Sequence, residues 1–310
     1  MSNTMVLSDF AIAARPVTYT AYGLEYAKLA KFYEQVATVE KMDAYVDEDI
    51  RLAGFGRLQK KLETEAFTLD RIRQEYVTRY IAVDYALGGA VSRRAIESAK
   101  GMDILGKIAM ELANANVQER NFRIAAIFNN AFDSSAQPMA DGASLVTTSG
   151  ASVSGLNATN RLAVDAAFSE ASLETMLIQI ATNSRNTRGE LLTITPEKLV
   201  VMPQEIYDCR RILHSTLRPG TADNDANVHS SLFSDKDIYT SPLLTDTNND
   251  MWFILTDINR KGQGIKLKEA RAFEIETDVD FRTSAVLVKG ETSFIAGVTD
   301  RLCIYGTNGT

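Results

Sequence analysis

Cysteine and histidine are scarce in this chain, and so is any excess of basic charge. Its 310 residues hold two cysteines, Cys209 and Cys303, and two histidines, His214 and His229. Two cysteines cannot make a disulfide framework, and these have no zinc-type spacing, so they read as reduced thiols of a cytosolic product. The formal net charge is −7. That excludes a strong nucleic-acid binder, because phosphate affinity rests on Lys and Arg. No window approaches the ~20 apolar residues of a membrane helix. The N-terminal MSNTMVLSDFAIAARPVTYT lacks the basic start and apolar run of a signal peptide. Without secretion, the acceptor patterns at Asn157-Ala-Thr and Asn308-Gly-Thr carry little weight.

Catalytic signatures are missing as well. There is no Gly-x-Ser-x-Gly elbow, no P-loop and no zinc-ligand spacing. Gly54-Phe55-Gly56 and Gly262-Gln263-Gly264 lack the third glycine of a dinucleotide site, and Ser98-Ala99-Lys100 has the wrong spacing for a Ser-x-x-Lys nucleophile. His214, near the end of a predicted helix, reads as a partner of the helix dipole, and His229, in a polar loop, as solvated. Acidic residues number 40, so adjacent pairs such as Glu48 and Asp49 arise by chance. Asp141 stands before Gly142 in FNNAFDSSAQPMADGASLV (128–146), and Asp-Gly has a local reason as a turn. No catalytic, metal-ligating or cofactor-binding residue is expected, and no cofactor.

What is present is an ordinary globular balance, with 45% hydrophobic and 24% charged residues, enough for a sizeable core in one large domain or two linked ones. Residues 1–20 show no clean periodicity and end in Arg15-Pro16-Val17, which favours an extended segment, either an arm that packs on something else or a frayed terminus. A short helix is expected over 23–38, with Leu24, Ala27, Phe32 and Val36 on one face. Residues 92–132 read as helix, firmest over 107–132, with Ile108, Leu112, Ala115, Phe122 and Ala126 at near whole-turn spacing. The stretch 147–160, TTSGASVSGLNATN, is a loop by composition. A helix follows over 169–184, with Ser169 or Ser172 as N-cap. Then come a buried strand over 198–202, a helix over 204–215 and a long polar loop from 217. Strand signals close the chain in WFILTD, IKLKEARAFEIETDV, SAVLVKGETSFIAGV and RLCIYG, with turn-like Lys261-Gly-Gln-Gly264 and Lys289-Gly290-Glu291.

The unusual part is 54–87. In EYVTRYIAVDYAL, residues Val77, Ile81, Val83, Tyr85 and Leu87 share one strand face and Tyr76, Thr78, Tyr80 and Ala82 the other. The limb before it, FGRLQKKLETEAF, mixes apolar and charged positions. Lys60, Lys61, Glu63, Glu65, Asp70, Arg71 and Arg73 fill the connection. This predicts a long two-stranded hairpin with room for a helical tip, with an amphipathic helix over 57–75 as the alternative. A hairpin this charged cannot bury both faces in its own domain, and isolated hairpins are marginal in water, so it needs a neighbour.

Taken in order, RYIAVDYALGGAVSRRAIES (79–98), the FNNAF ending of the long helix, TPEKLVVMPQEIYDCRRILHS (195–215), RPGTADNDANV with SPLLTDTNNDMWFILTD (218–257), and DFRTSAVLVKGETSFIAGVTDRLCIYGTNG (280–309) resemble the major capsid proteins of tailed bacteriophages, of the Hong Kong 97 type. The resemblance spans roughly 260 residues and rests on the order of several individually weak matches. After the Asp-Gly, TTSGAS stands where many relatives carry a His-containing phrase. The resemblance implies an α+β Hong Kong 97-type fold with an N-terminal arm (1–22) and an extended loop (54–87). It also implies a peripheral domain (23–53, 88–132 and 258–288) and an axial domain (133–257 and 289–310). It implies a structural subunit that forms pentamers and hexamers of an icosahedral shell in the virion, around double-stranded DNA held by weak contacts. Assembly would occur in the bacterial host cytoplasm with scaffolding and portal proteins, with room for a decoration protein and no membrane. Some relatives cross-link a loop lysine to a neighbour's asparagine. Lys60 and Lys61 lie in the loop, but the asparagine and its activating acid have no match here, so no cross-link is expected. The start of the chain implies a separate scaffold or a leader already removed. Lys60, Lys61, Glu63, Glu65, Arg71 and Arg73 are the candidate inter-subunit contacts. The alternatives are a nanocompartment shell around a cargo enzyme and, more remotely, a soluble hydrolase using Ser215, His214 or Asp141.

Overall fold

The computed structural model describes residues 7–53, 56–71, 73–97, 101–136, 139, 142–148, 150–151, 157–185, 190–217, 226–230, 232–245, 250–280, 282–283 and 285–309. The expected Pro138 stop and the Asp141 half of the turn lie outside them; Gly142 takes φ +75, a left-handed conformation that suits glycine.

Two four-stranded sheets organise the chain. The first has the order β1-β10-β11-β4, from β1 (Thr38–Lys41), β4 (Val83–Val91), β10 (Ile265–Val279) and β11 (Val286–Val298). Here β1 runs parallel to β10 and the other pairs are antiparallel. The second has the order β12-β9-β7-β8, from β7 (Pro196–Val201), β8 (Ile238–Tyr239), β9 (Trp252–Thr256) and β12 (Ile304–Thr307). All five β9 residues, WFILT, are buried, as expected for a central strand covered on both faces. Two-residue strands β5 (Gly150–Ala151) and β6 (Asn157–Ala158) pair with each other, and β2 (Val46–Ala53) pairs with β3 (Arg73–Ile81).

The spine is α4 (Gly101–Asn129), on the order of 40 Å long at ~1.5 Å per residue. Its first half packs Leu105 and Leu112 with Val91, Ile275, Val286 and Val288 of the first sheet. Its end carries Phe128 into the main core, where the ring lies edge-on to Phe253 at 5.3 Å; Phe132 stacks on the same ring at 5.5 Å. Gly306 makes room for that ring, since a Cβ there would lie 2.3 Å from Phe253. The neighbouring Tyr305 hydroxyl meets Ser184 Oγ at 2.6 Å. Fully buried Asn160 sews the junction: its Nδ2 donates to the carbonyls of Leu145 and Ile304, both at 2.9 Å, and Thr147 N–H donates to its Oδ1. In the second unit, α5 (Glu170–Asn183) starts with the expected Ser169 cap, in a reciprocal box with Ser172, and α6 (Ile206–His214) follows β7.

The structure corrects several expectations. The segment read as an extended arm is α1 (Leu7–Lys28), helical through Pro16. Proline removes a donor and disfavours helix before it, but tertiary packing outweighs this. Tyr22 stacks on Phe273 of β10 at 4.7 Å, Tyr19 donates to the Ile275 carbonyl at 2.9 Å, and Asn116 of α4 donates to the Tyr22 hydroxyl at 2.8 Å. The helix expected over 23–38 is broken: α1 ends at Lys28, α2 covers only Phe32–Val36, and β1 begins at Thr38. Phe122 is 50% exposed, because the buried stripe of α4 runs through Ala113, Val117, Ile124 and Phe128 instead. Gly290 is no turn. It lies mid-strand in β11 opposite Ile275, and a Cβ there would lie 2.3 Å from the Phe273 ring, so its bareness seats a side chain rather than a bend. The short α3 (Arg93–Glu97) precedes α4. Because β11 is continuous across 286–298 in the first sheet, the expected boundary at 288/289 falls inside a strand.

Candidate assembly surfaces

The hairpin exists, with shifted limbs. Its outgoing strand is β2, before the 54–87 window, while FGRLQKKLETEAF is irregular over its described part with a turn at 63–65. Neither a helical tip nor a helix over 57–75 is seen among the described residues. The return limb crosses at Ala82 from β3 into β4, so one alternating segment serves the hairpin and then the first sheet.

The root of the hairpin is a buried charge network. Alternation in β2 sets Asp47 and Asp49 on one face, and alternation in β10 sets Lys266 and Lys268 facing them. Lys268, 2% exposed, donates to Asp47 and Asp49, each at 2.6 Å; Lys266 donates to Asp49 at 2.6 Å and pairs with Glu40 at 3.2 Å. Thr299 donates to Asp49 at 3.0 Å, and Arg51 to Asp300 at 2.7 Å. The Tyr80 ring lies beneath the Lys268 ammonium at 4.5 Å, packs where Gly297 has no side chain, and bonds Thr299 at 2.8 Å. Burial raises the Asp49 pKa, but the bonds from Lys266 and Lys268 outweigh it and hold the carboxyl below the usual aspartate value. A carboxylate depressed on folding contributes stability above its unfolded pKa and loses it as pH falls through the folded one. The expected result is faster amide exchange in β2 and β3 as pH drops below about 4, measured by mass spectrometry after correction for intrinsic rates. Asp49→Asn, which cannot ionise, is expected to flatten that dependence.

Beyond the root, every described residue from 57 to 71 is exposed. Leu58 (102%), Leu62 (66%), Phe67 (70%) and Leu69 (83%) present apolar side chains to water. Short polar bonds shape the tip: Gly56 N–H to Asp70 at 2.9 Å, Leu62 N–H to Glu65 at 3.3 Å, and Thr68 to Gln59 at 3.1 Å. Arg57 N–H reaches Glu190 at 3.2 Å. Of the charged candidates, Lys60, Lys61, Glu63, Glu65 and Arg71 are all exposed, and Arg73 opens β3 opposite Ala53. Among the described residues no ion pair ties down Lys60, Lys61, Glu63 or Glu65. The apolar members of the tip were passed over in the sequence, although LQKKL and AFTL interleave them with the charges.

The possible chemistry is dispersed. His214 pairs with Asp235 at 3.1 Å and the Ser215 hydroxyl donates to the Leu217 carbonyl, so the hydrolase pair is not formed; Asp141 lies outside the described residues. Cys209 and Cys303 are buried thiols, and burial pushes the first up to about 12 and the second well above its ordinary value. His229 corrects its expectation: it is 6% exposed, and its Nε2 lies 3.3 Å from Glu174 and 4.0 Å from Glu170. Asn227 positions it, accepting from His229 N–H at 3.0 Å while donating to the carbonyls of Ile212 and Ser215. Sequence reasoning missed a second buried pair. Arg120 of α4, between the rings of Tyr33 and Phe294, meets Glu269 of β10.

The model of a family described as phage capsid protein matches residues 75–306. No curated protein sequence matches the chain. Among solved structures, a virus-like particle from Pyrococcus furiosus is similar, with a TM-score of 0.56 and 9% identity over 94% of this chain and 98% of that one. The capsid of cyanophage P-SCSP1u gives 0.54 and 10% over 91% and 88%, and the capsid of Myoviridae phage XM1 gives 0.52 and 13% over 90% and 92%. At these identities the likeness speaks for the fold, which is of the Hong Kong 97 type. With most of its length inside the family model, from the return limb of the hairpin to the last strand, the chain belongs to the phage capsid protein family.

Proposed function

We propose that this structural capsid protein closes an icosahedral shell of pentamers and hexamers around double-stranded DNA. The observation that carries this reading is the hairpin tip, whose Leu58, Leu62, Phe67 and Leu69 stand exposed, uncovered by the described residues. A contact that differs on its two sides, repeated around an axis, closes into rings. The tip on a neighbouring subunit is such a contact, and Lys60, Lys61, Glu63, Glu65 and Arg71 form its polar rim. The first sheet with α1 and α4 serves as the peripheral domain, and the second sheet with α5 and α6 as the axial domain. Net charge −7 suits an inner face that holds condensed DNA without gripping it. Scaffolding and portal proteins, and the virion as destination, belong to the same reading. Among the described residues no helix is long and apolar enough to cross a membrane.

The test is to express the full chain, alone and with a candidate scaffolding protein, and to image the product by electron microscopy. Closed shells of uniform diameter are expected, and a stable monomer under both conditions would overturn the reading. Particle contents separate a virus head, filled with DNA when packaging proteins are supplied, from a nanocompartment filled with an enzyme.

A further inference from the structure

We propose that Glu170, Glu174 and His229 form a site for a divalent transition-metal ion, with zinc as its reference occupant. The two glutamates stand one turn apart on α5, at i and i+4, which sets both on one helix face. His229 comes from the segment after α6, with its backbone fixed by Asn227, itself tied to α6 and the residue following it. One oxygen of each carboxylate and a ring nitrogen of His229 all lie within 4.8 Å of one another. The imidazole is more than nine-tenths buried, and its Nε2, directed at the two carboxylates, makes no hydrogen bond among the described residues.

The orphaned ring nitrogen of buried His229 faces carboxylate oxygens, and a cation between them would satisfy it. A proton would draw nitrogen and oxygen to ~2.7–2.9 Å, the length of a charge-assisted hydrogen bond. The separations here are 3.3 Å to Glu174 and 4.0 Å to Glu170. A metal bound at ~2.0–2.1 Å to each of two donors in tetrahedral geometry holds them roughly 3.3 Å apart. Glu174 has a 57% exposed side chain, so it can swing to close the remaining gap, and it leaves a coordination position facing water. One imidazole with two carboxylates suits zinc and its first-row neighbours rather than calcium or magnesium, which favour all-oxygen shells. Bound metal would clamp the start of α5 to the segment following α6. The site does not depend on how the shell is built.

The experiment takes the full chain, stripped with a chelator and dialysed, and titrates zinc against a chromophoric competitor, with cobalt as an optical probe. Expected are one zinc per chain, a visible cobalt absorption in the tetrahedral or five-coordinate range, and a rise in melting temperature with zinc. His229→Gln and Glu174→Gln are each expected to weaken binding at least ~10-fold, as loss of a ligand should exceed the loss seen for outer-shell partners. Glu174 is exposed, so its variant keeps the fold and carries the test if the buried His229 variant does not. Absence of stoichiometric zinc binding, or binding unchanged in Glu174→Gln, would overturn the site.

Discussion

Replacing Leu58, Leu62, Phe67 and Leu69 together by serine is expected to yield a folded subunit that closes no shells. In the isolated chain these side chains are 66–102% exposed, so serine removes nothing the monomer uses. Their circular dichroism and melting temperature should therefore match the parent. In an assembled shell each such side chain would bury most of its apolar surface, worth about 1.5–3 kcal/mol apiece. The tip has no other apolar anchor among its described residues, and exposed ion pairs contribute at most about 1 kcal/mol each. Charge reversal at Lys60 and Lys61 is accordingly expected to slow assembly without abolishing it. Sedimentation velocity and micrographs of co-expressed material would read the outcome. Closed shells from the four-serine variant would mean that the tip is not the inter-subunit anchor.

Arg120→Met is expected to destabilise the subunit by about 3–5 kcal/mol, the usual cost of breaking a buried ion pair on one side. Arg120 is 4% exposed and reaches from the spine helix to β10. It donates to Glu269, to Thr292 at 3.4 Å and to Asn116 at 3.0 Å, with its guanidinium 5.2 Å from the Phe294 ring centre. Methionine keeps much of the volume but strands the Glu269 carboxylate, whose side chain is 14% exposed. Adding Glu269→Met should recover a large part of the loss, because the stranded charge rather than the lost attraction dominates the cost. Urea unfolding of the two single variants and the double variant measures this. A single-variant loss under about 1 kcal/mol would show that water reaches the pair and screens it.

Where the physics is local, the sequence was a good guide. The apolar run WFILT became the buried β9, IKLKEARAFEIETDV became β10 residue for residue, and Ser169 capped α5 as its type and spacing suggest. The alternation in RYIAVDYAL did announce strand, but not that the chain leaves the hairpin at Ala82 to join a sheet. Gly290 and Pro16 misled for the same reason. Both residues signal a break when only their chain neighbours are considered, and both are overruled here by Phe273, which seats against one and anchors the helix containing the other.

Composition, the strand periods of β9 and β10, the cap of α5 and the charged character of the 54–87 region were settled by the order of residues alone, since each depends on a few consecutive side chains. The tertiary structure decided which charges are buried. Lys268 meets Asp47 across 221 positions, Arg120 meets Glu269 across 149, and His229 enters a pair of glutamates from another element. Desolvation makes such partners obligatory to one another, and only the folded topology brings them within reach. The same topology leaves the described residues of the hairpin tip exposed, so what began as a pattern of alternating residues ends as the surface on which the proposed contact with another subunit rests.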